Sequence, residues 1–217
     1  MDSLFTPLSW DDTGYILTGV WNTVTISVVA ILLGTLLGLA VGFVRAESNK
    51  GLNILFGSVL DILRSVPLII QLILFSTFVG AAGYPLDPFL AGSIVLSLYT
   101  MAFMSEVFRS GFESVSQSMQ TAARSLGMNY WQTIYYIRLP IGMRAVFPSW
   151  LGVCLSVIKD SALVSVIGYM ELLRTSDQLI SRTQQPLMIL IGVGIFYFII
   201  SYPLSSYGRY VERKMAI

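Results

Sequence analysis

Residues 23–44 read TVTISVVAILLGTLLGLAVGFV, an apolar run without a single Asp, Glu, Lys or Arg. A helix needs about 20 mostly apolar residues to cross a lipid bilayer. The run is too long for the apolar part of a signal peptide, and the residues before it include Asp2, Asp11 and Asp12 but no Lys or Arg. It therefore predicts a retained membrane-spanning helix.

The composition of the whole chain also indicates a membrane protein. Of its 217 residues, 55% are hydrophobic and 12% are charged, whereas soluble domains carry about 25% charged residues. This number of charges is too small to cover the surface of a soluble protein. We therefore expect lipid to cover much of the surface of this one. The chain has no His, and its one cysteine, Cys154, lies in an apolar run. We interpret Cys154 as a small apolar residue, and the lack of His argues against a metalloenzyme or a His-based hydrolase.

Five stretches have the length and composition of spanning helices: residues 18–44, 52–79, 88–108, 144–169 and 187–207. We predict an all-α polytopic membrane protein with one transmembrane domain over residues 1–217. In the first span, Gly34, Gly38 and Gly42 recur every fourth residue, which suits either close helix packing or a lipid-facing helix that tolerates glycine. The longest stretch outside the spans, about residues 109–143, is too short for a core of its own.

The distribution of Lys and Arg predicts the orientation, because cytoplasmic loops carry an excess of both. Arg45 and Lys50 lie in the first loop, four Arg lie in the stretch 109–144, and the C-terminal tail is basic. Five spans then place the N-terminus outside and the C-terminus in the cytoplasm. Arg174 and Arg182 fall on the outside, in a segment over residues 170–185 that we predict to be an external surface helix.

The stretch 118–144, SMQTAARSLGMNYWQTIYYIRLPIGMR, predicts two short cytoplasmic helices. Residues 120–126 favour a helix that Gly127 closes, and a second helix over 128–137 should end at Leu139-Pro140, where the next span starts. The aromatic residues of the second helix suit either a docking partner or the headgroup region of the bilayer. The residues alone leave both alternatives open.

Charged and polar residues inside the spans are candidates for a binding site. Lys159 and Asp160 are adjacent in the fourth span, and a helix break at Ser161 would let both line one cavity. Such a site suits a zwitterion, with Lys159 toward a carboxylate and Asp160 toward a cation. The alternative is a pair that neutralises itself. Pro67 should kink the second span and free a carbonyl near this cavity. Gln71 and Thr100 are further candidates, although helix–helix hydrogen bonds would also explain them.

A second charged group comprises Asp61, Arg64 and Glu106. An ion pair between Arg64 and Glu106 could open and close with a gate, but a fixed structural bridge is the simpler expectation. Asp61 lies one helical turn before Arg64 and should compete for its guanidinium.

No phosphate-binding loop of the form G-x-x-x-x-G-K-[ST] occurs, so any ATP-driven engine must lie on another chain. Gly192 and Gly194 form a G-x-G pair inside the fifth span, and we interpret them as packing or flexibility features.

Several motifs together resemble one family. The stretch TAARSLGMNYWQTIYYIRLP is similar to the signature loop of bacterial ABC importer permeases, whose usual form begins E-A-A. The polar amino-acid branch of that family, which includes histidine, glutamine and arginine permeases, has motifs similar to LRSVPL (63–68) with QL (71–72), SEVFRSG (105–111), IKDSALVSVIG (158–168) with EL (171–172), and SRT (181–183). The resemblance covers about residues 14–214.

The resemblance implies roles for the loop. In the family it forms a coupling helix in a groove of a cytoplasmic ATPase, and by position the residues concerned here are Ala122, Ala123, Leu126 and Gly127, with Leu139 and Pro140 as anchor. Thr121 stands where the family usually has Glu. Thr could cap the short helix but could not form an ion pair, and the difference leaves open a non-equivalent member of a heterodimer.

The resemblance also implies the function and the partners. It suggests the membrane subunit of an importer for a polar amino acid or close analogue, in the bacterial cytoplasmic (inner) membrane, working by alternating access. The expected partners are two ABC ATPases that hold the ATP and Mg, a second permease subunit, an extracytoplasmic substrate-binding protein and membrane lipid, with no nucleic acid and no cofactor on this chain. The main alternative is an ion-driven carrier or channel for a small zwitterion. An intramembrane enzyme lacks a clear nucleophile and base.

Overall fold

The computed structural model describes residues 9–215, which are almost entirely helical and contain no β-strand. Long helices alternate with short ones, and two of the connections are themselves helical. The elements in these residues are α1 (Asp11–Glu47), α2 (Lys50–Ser65), α3 (Leu68–Ala81), α4 (Pro88–Glu113), α5 (Gln117–Ser125), α6 (Tyr130–Thr133), a π-helical turn (Ile134–Arg138), α7 (Leu139–Asp160), a 3-10 helix (Ser161–Ile167), α8 (Leu172–Thr183) and α9 (Pro186–Met215).

Four helical stretches among the described residues are long and apolar enough to cross a membrane: α1, α4, the stretch Tyr130–Ile167, and α9. This agrees with the all-α polytopic prediction. The expected span over residues 52–79 is broken: α2 and α3 are long and apolar enough for a fifth span only as a pair, and they are bent by 99° at the break between them. Pro67 lies at this break with φ −54° and ψ 134°. A proline offers no N–H and disfavours the helical conformation in the residue before it, so the helix stops instead of kinking.

The chain divides into two compact units. The first unit contains the chain up to Ile31, Val66–Ser97 and Leu155–Leu204. Its interior is built from apolar side chains of α1, α3, α4 and the 3-10 helix that are almost completely buried, among them Ile26, Leu72, Leu96 and Val164. α3 and α8 both pack against the 3-10 helix. The segment over 170–185 contains α8, as the sequence predicted.

The second unit contains Leu32–Ser65, Leu98–Cys154 and the chain from Ser205. Its helices approach closely at glycines. A Cβ on Gly42 would lie 2.7 Å from the carbonyl oxygen of Ser105, and a Cβ on Gly142 would lie 2.9 Å from that of Gly111. A Cβ on Gly38 would likewise clash with Met104. The glycine repeat of the first span therefore serves close packing of α1 against α4, which decides between the two alternatives for Gly38 and Gly42.

Gly192 and Gly194 do not pack in this way. Both are exposed on α9, and a Cβ on either would meet no atom within 4 Å among the described residues. Their interpretation as packing positions therefore finds no support inside the described chain.

The connection between α5 and α7 corrects a second prediction. Leu139-Pro140 does not end a helix, because α6, the π-helical turn and α7 run on without interruption from Tyr130. In the π-helical turn the N–H of Leu139 donates to the carbonyl of Ile134, five residues back. Such a turn changes the register of backbone hydrogen bonds just before Pro140, which has no N–H to donate, so the helix can pass through the proline.

Candidate functional site

The fourth span changes its helix type at the predicted position. α7 ends at Asp160, and the tighter 3-10 helix begins at Ser161. The carboxylate of Asp160 is half-buried and accepts a hydrogen bond of 3.1 Å from the Ser156 hydroxyl. Lys159 is exposed, and among residues 9–215 it forms no salt bridge with Asp160. The two charged groups are therefore not paired with each other in this part of the chain.

Ser161 has a different environment from its two neighbours. Its side chain is fully buried, and its hydroxyl donates to the carbonyl of Ile158 at 2.8 Å. This bond satisfies a carbonyl near the end of α7, where regular α-helical partners run out. The position of Ser161 thus explains the helix break more directly than it explains ligand contact.

Pro67 and Gln71 lie in the first unit together with this break. The Gln71 amide nitrogen donates to the carbonyl of Val66 at 2.8 Å, while the backbone N–H groups of Ile70 and Gln71 turn to the carbonyl of Pro67. The carbonyl freed at the proline break is therefore capped by Gln71. Because α3 packs against the 3-10 helix, the helices that follow the two breaks are in contact. Thr100 belongs to the second unit, where it is fully buried in α4.

A charged cluster occupies the second unit, and Glu106 on α4 is its centre. Its carboxylate lies 3.0 Å from Arg45 and 3.7 Å from Arg64, and it also pairs with Arg109. Arg64 forms a closer ion pair with Asp61, so Asp61 does compete for its guanidinium. The cluster lines an open cleft of about 540 Å³ between α1, α2 and α4.

Sequence reasoning missed two members of this cluster. It assigned Arg45 and Arg109 to loops, whereas Arg45 is 6% exposed at the end of α1 and Arg109 lies within α4. Arg45 also donates to the Asn53 side chain at 3.2 Å, and Arg109 pairs with Glu113 at 2.6 Å. The i,i+3 and i,i+4 spacings of Arg109 to Glu106 and Glu113 could have indicated its pairs. The Arg45 contact joins residues far apart in sequence and has no local signal.

The predicted coupling segment has well-formed helix ends. Gly127 has φ +87°, its N–H donates to Arg124, and the N–H of Met128 donates to Ala123. These two bonds form a Schellman motif, and the positive φ explains why glycine stands there. At the start of α6, Asn129 accepts from the Gln132 N–H while the Gln132 side chain accepts from the Asn129 N–H, which is a capping box.

The residues predicted to contact an ATPase differ in their exposure. Thr121, Ala122 and Gly127 are exposed, and Leu126 is 85% exposed. Ala123, by contrast, is buried within the chain, so its side chain is not part of a free surface. Leu139 is half-buried and Pro140 is exposed at the start of α7.

The expected capping role of Thr121 is wrong. The helix cap is Ser116, whose hydroxyl accepts from the Met119 N–H. Thr121 lies in the middle of α5, and its hydroxyl donates to the Gln117 carbonyl at 3.0 Å. At that position it cannot reach the free N–H groups at the start of the helix.

Glu171 is a further residue that sequence reasoning noted only as part of a motif. Its side chain is fully buried and accepts hydrogen bonds from the N–H groups of Leu173 (2.8 Å) and Arg174 (2.7 Å), so it caps α8. Burial raises its pKa to about 7, although the two N–H groups act in the opposite direction. A carboxyl group buried this completely has no signal in the local sequence.

Comparisons with known proteins bear on this helical architecture. Residues 30–217 match the family described as "Binding-protein-dependent transport system inner membrane component". The chain belongs to this family. It is thus a permease subunit of an ABC importer and a membrane protein, and the prediction of that family is confirmed. The membership favours the ATP-driven importer over the ion-driven carrier.

Individual relatives cover nearly the whole permease. It is 32% identical over 206 residues to the "Probable glutamine ABC transporter permease protein GlnM" of Bacillus subtilis (strain 168), which covers 95% of each chain. It is 28% identical to the "Arginine transport system permease protein ArtQ" of the same organism, with 93% of this chain and 92% of the relative covered. A solved "amino acid ABC transporter with histidines" matches with a TM-score of 0.84 and 28% identity over 93% of this chain and 94% of the other.

Proposed function

We propose that this permease subunit carries a polar amino acid or a close analogue into the cell by alternating access. Similar proteins are named for glutamine and arginine transport, which agrees with a zwitterionic substrate but leaves its side chain open. The single observation that carries the proposal is the break at Asp160–Ser161, which leaves the Asp160 carboxylate half-buried with one neutral hydrogen-bond donor. Charged groups in membrane spans usually face a cavity or a substrate path.

In the proposed site, two charged residues bind two different groups of the substrate. Asp160 accepts from the α-amino group or a cationic side chain of the substrate, and Lys159 meets its carboxylate. Pro67 and Gln71 hold the start of α3, since Gln71 caps the freed Val66 carbonyl. Ser161 keeps the helix break in place through its bond to Ile158. Thr100 is proposed as a polar residue of α4 that supports the transport path.

The proposed partners follow from the same family. Two permease subunits, identical or not, would surround the path, an extracytoplasmic binding protein would deliver the substrate, and two cytoplasmic ATPases would hold ATP and Mg. The N-terminus would lie outside and the C-terminus in the cytoplasm of a bacterial inner membrane. Thr121, Ala122, Leu126 and Gly127 offer an exposed surface for the ATPase, while Leu139 and Pro140 join this segment to α7.

In the proposed function, Arg64, Asp61 and Glu106 form an ionic link that holds α2 to α4 in the conformation described here. A gate that opens would require the Arg64–Glu106 contact to break, and the Arg64–Asp61 pair offers Arg64 a partner when it does. Arg64 then keeps Asp61 as its partner, and Glu106 keeps Arg45 and Arg109.

The substrate site is tested by amino-acid uptake into proteoliposomes that contain the permease, its ATPase and its binding protein. Asp160→Asn should lower uptake by at least about tenfold, because a charge-assisted hydrogen bond contributes about 1.5–3 kcal/mol. Ser156→Ala is the matched control: it removes the hydrogen bond to Asp160 but leaves the carboxylate, and should lower uptake much less. Equal uptake by Asp160→Asn and the unmodified permease would refute the role of Asp160.

The coupling assignment is tested separately with Gly127→Arg. The arginine would place a large side chain in the middle of the exposed surface. It would also stand at φ +87°, where residues other than glycine are strained. We expect the ATPase to lose substrate-stimulated ATP turnover and to co-purify poorly. Unchanged turnover would contradict the coupling assignment.

A further inference from the structure

Glu47, the last residue of α1, contacts the segment between α5 and α7 at two points. Its carboxylate accepts a hydrogen bond from the hydroxyl of Tyr130, at the start of α6. It also forms an ion pair with Arg138, at the end of the π-helical turn. One carboxylate thus holds both ends of the short helical stretch Tyr130–Arg138.

Arg138 is confined by its surroundings. It is 7% exposed, its guanidinium lies 5.9 Å from the centre of the Phe112 ring, and Phe112 makes an edge contact with Phe43 of α1 at 5.4 Å. Its Nε is buried and has no hydrogen-bond partner in the described part of the chain. Glu47 is therefore the carboxylate that neutralises this buried charge, and removing it would leave the guanidinium unpaired.

The backbone at Arg138 offers an easy place to deform. The π-helical turn Ile134–Arg138 has one more residue per hydrogen-bonded loop than an α-helix, and such turns often occur at functional positions. If the stretch Tyr130–Arg138 moved while Tyr130 was not bound to Glu47, the π-helical turn could return to α-helical register. That change would absorb the motion. The two bonds to Glu47 oppose this, because they tie Tyr130, before the turn, and Arg138, at its end, to the same residue of α1.

We propose that Glu47 is a positioning residue that fastens the coupling segment to the end of α1, so that movement of the segment moves α1 instead of deforming the π-helical turn. The inference rests on the proposed ATPase contact at α5 and Gly127. It assigns Glu47 a role in the efficiency of coupling, distinct from binding of substrate or of the ATPase.

The test measures substrate uptake and ATP hydrolysis in the same proteoliposomes, with the complete transporter. Glu47→Gln removes the charge and keeps the shape. We expect the ratio of substrate transported to ATP hydrolysed to fall at least about threefold, while ATP turnover stays within about twofold. Tyr130→Phe, which removes only the hydroxyl, should lower the ratio less, and adding it to Glu47→Gln should have little further effect because one carboxylate serves both bonds.

Two controls make the outcome unambiguous. Glu212→Gln removes an exposed carboxylate near the end of α9 and should leave the ratio unchanged. Glu47→Asp keeps the charge and should recover part of the ratio. If Glu47→Gln folds poorly, as judged by its thermal unfolding midpoint, Tyr130→Phe carries the test, because it keeps the ion pair to Arg138.

An unchanged ratio in a well-folded Glu47→Gln, or in Tyr130→Phe when that variant carries the test, would overturn the inference. Failure of the proposed function gives a different result: the unmodified transporter would then show no ATP-dependent uptake, or Gly127→Arg would leave its ATP turnover intact. The two failures are thus distinguishable in one set of measurements.

Discussion

The replacement Glu171→Gln should remove a pH dependence from the stability of this protein. Glu171 lies outside the membrane-spanning stretches, between the 3-10 helix and α8, and its carboxyl is fully buried. Burial raises its pKa from 4.5 to about 7, and the nearby charge of Asp177 adds to the increase. Tyr169 and Tyr197 also lie near it, and a phenol is neutral at physiological pH.

The sign and size of the effect follow from the two pKa values. Because the folded state holds the proton more tightly, the group stabilises the fold most below pH 4.5, and this stabilisation is lost as the pH rises through 7. Between pH 5 and pH 8 the loss is about 2–3 kcal/mol, since one pKa unit corresponds to about 1.4 kcal/mol. For a protein of this size that lowers the unfolding midpoint by about 5–10 °C.

The assay is thermal unfolding of the purified permease in lipid nanodiscs, followed by tryptophan fluorescence at pH values from 5 to 8. The amide of Glu171→Gln resembles the protonated acid and can still accept one of the two N–H bonds, so its midpoint should vary less with pH than that of the unmodified protein. The difference between the two curves isolates Glu171 from all other titrating groups. Asp177→Asn should move the inflection to lower pH, and Glu212→Gln, an exposed control, should leave it in place.

Two results would refute this reasoning. If Glu171→Gln showed the same change of midpoint between pH 5 and pH 8 as the unmodified protein, the carboxyl would be ionised throughout that range. If the difference between the curves grew with the opposite sign, the bonds from Leu173 and Arg174 would outweigh burial and the folded-state pKa would be lowered.

Three further predictions concern helix packing, capping and the cysteine. Gly142→Ala should lower the free energy of unfolding by about 1–3 kcal/mol, because its Cβ would lie 2.9 Å from the Gly111 carbonyl oxygen. The control is Gly152→Ala on the same helix, whose Cβ would meet no described atom within 4 Å and which should be neutral or stabilising. Denaturation midpoints of the two variants test this. Asn129→Ala removes one half of the capping box and should cost about 1 kcal/mol in the same measurement. Cys154 is 4% exposed and should react with a maleimide only as the protein unfolds, so labelling well below the fluorescence transition would contradict its burial.

Local signals predicted a large part of the fold. The spans followed from apolar length, and the helix ends at Gly127 and Ser161 followed from residue types whose effect acts within one turn. Gly127 needs a positive φ, and any sequence with glycine after a short helix carries that signal. The segment over 170–185 contains a helix for equally local reasons.

Prolines were harder to interpret, because their effect depends on what surrounds them. Pro67 ends a helix and leaves α2 and α3 as a bent pair. Pro140, by contrast, lies within a continuous helix, because a π-helical turn precedes it. Thr121 also differed from expectation, since the start of α5 is set by Ser116. The candidate site was predicted in part: the helix break at Ser161 was expected, but the burial of Ser161 was not.

The sequence by itself determined that this is a membrane protein with two short helical stretches between its third and fourth spans and a charged helix break, because apolar length, glycine and proline act locally. Only the tertiary structure decided which charges meet. Glu47 pairs with Arg138 across 91 residues, Arg45 joins Glu106, and Glu171 is buried. Such contacts depend on which helices pack side by side, and an ion pair between distant residues leaves no periodic pattern in the sequence.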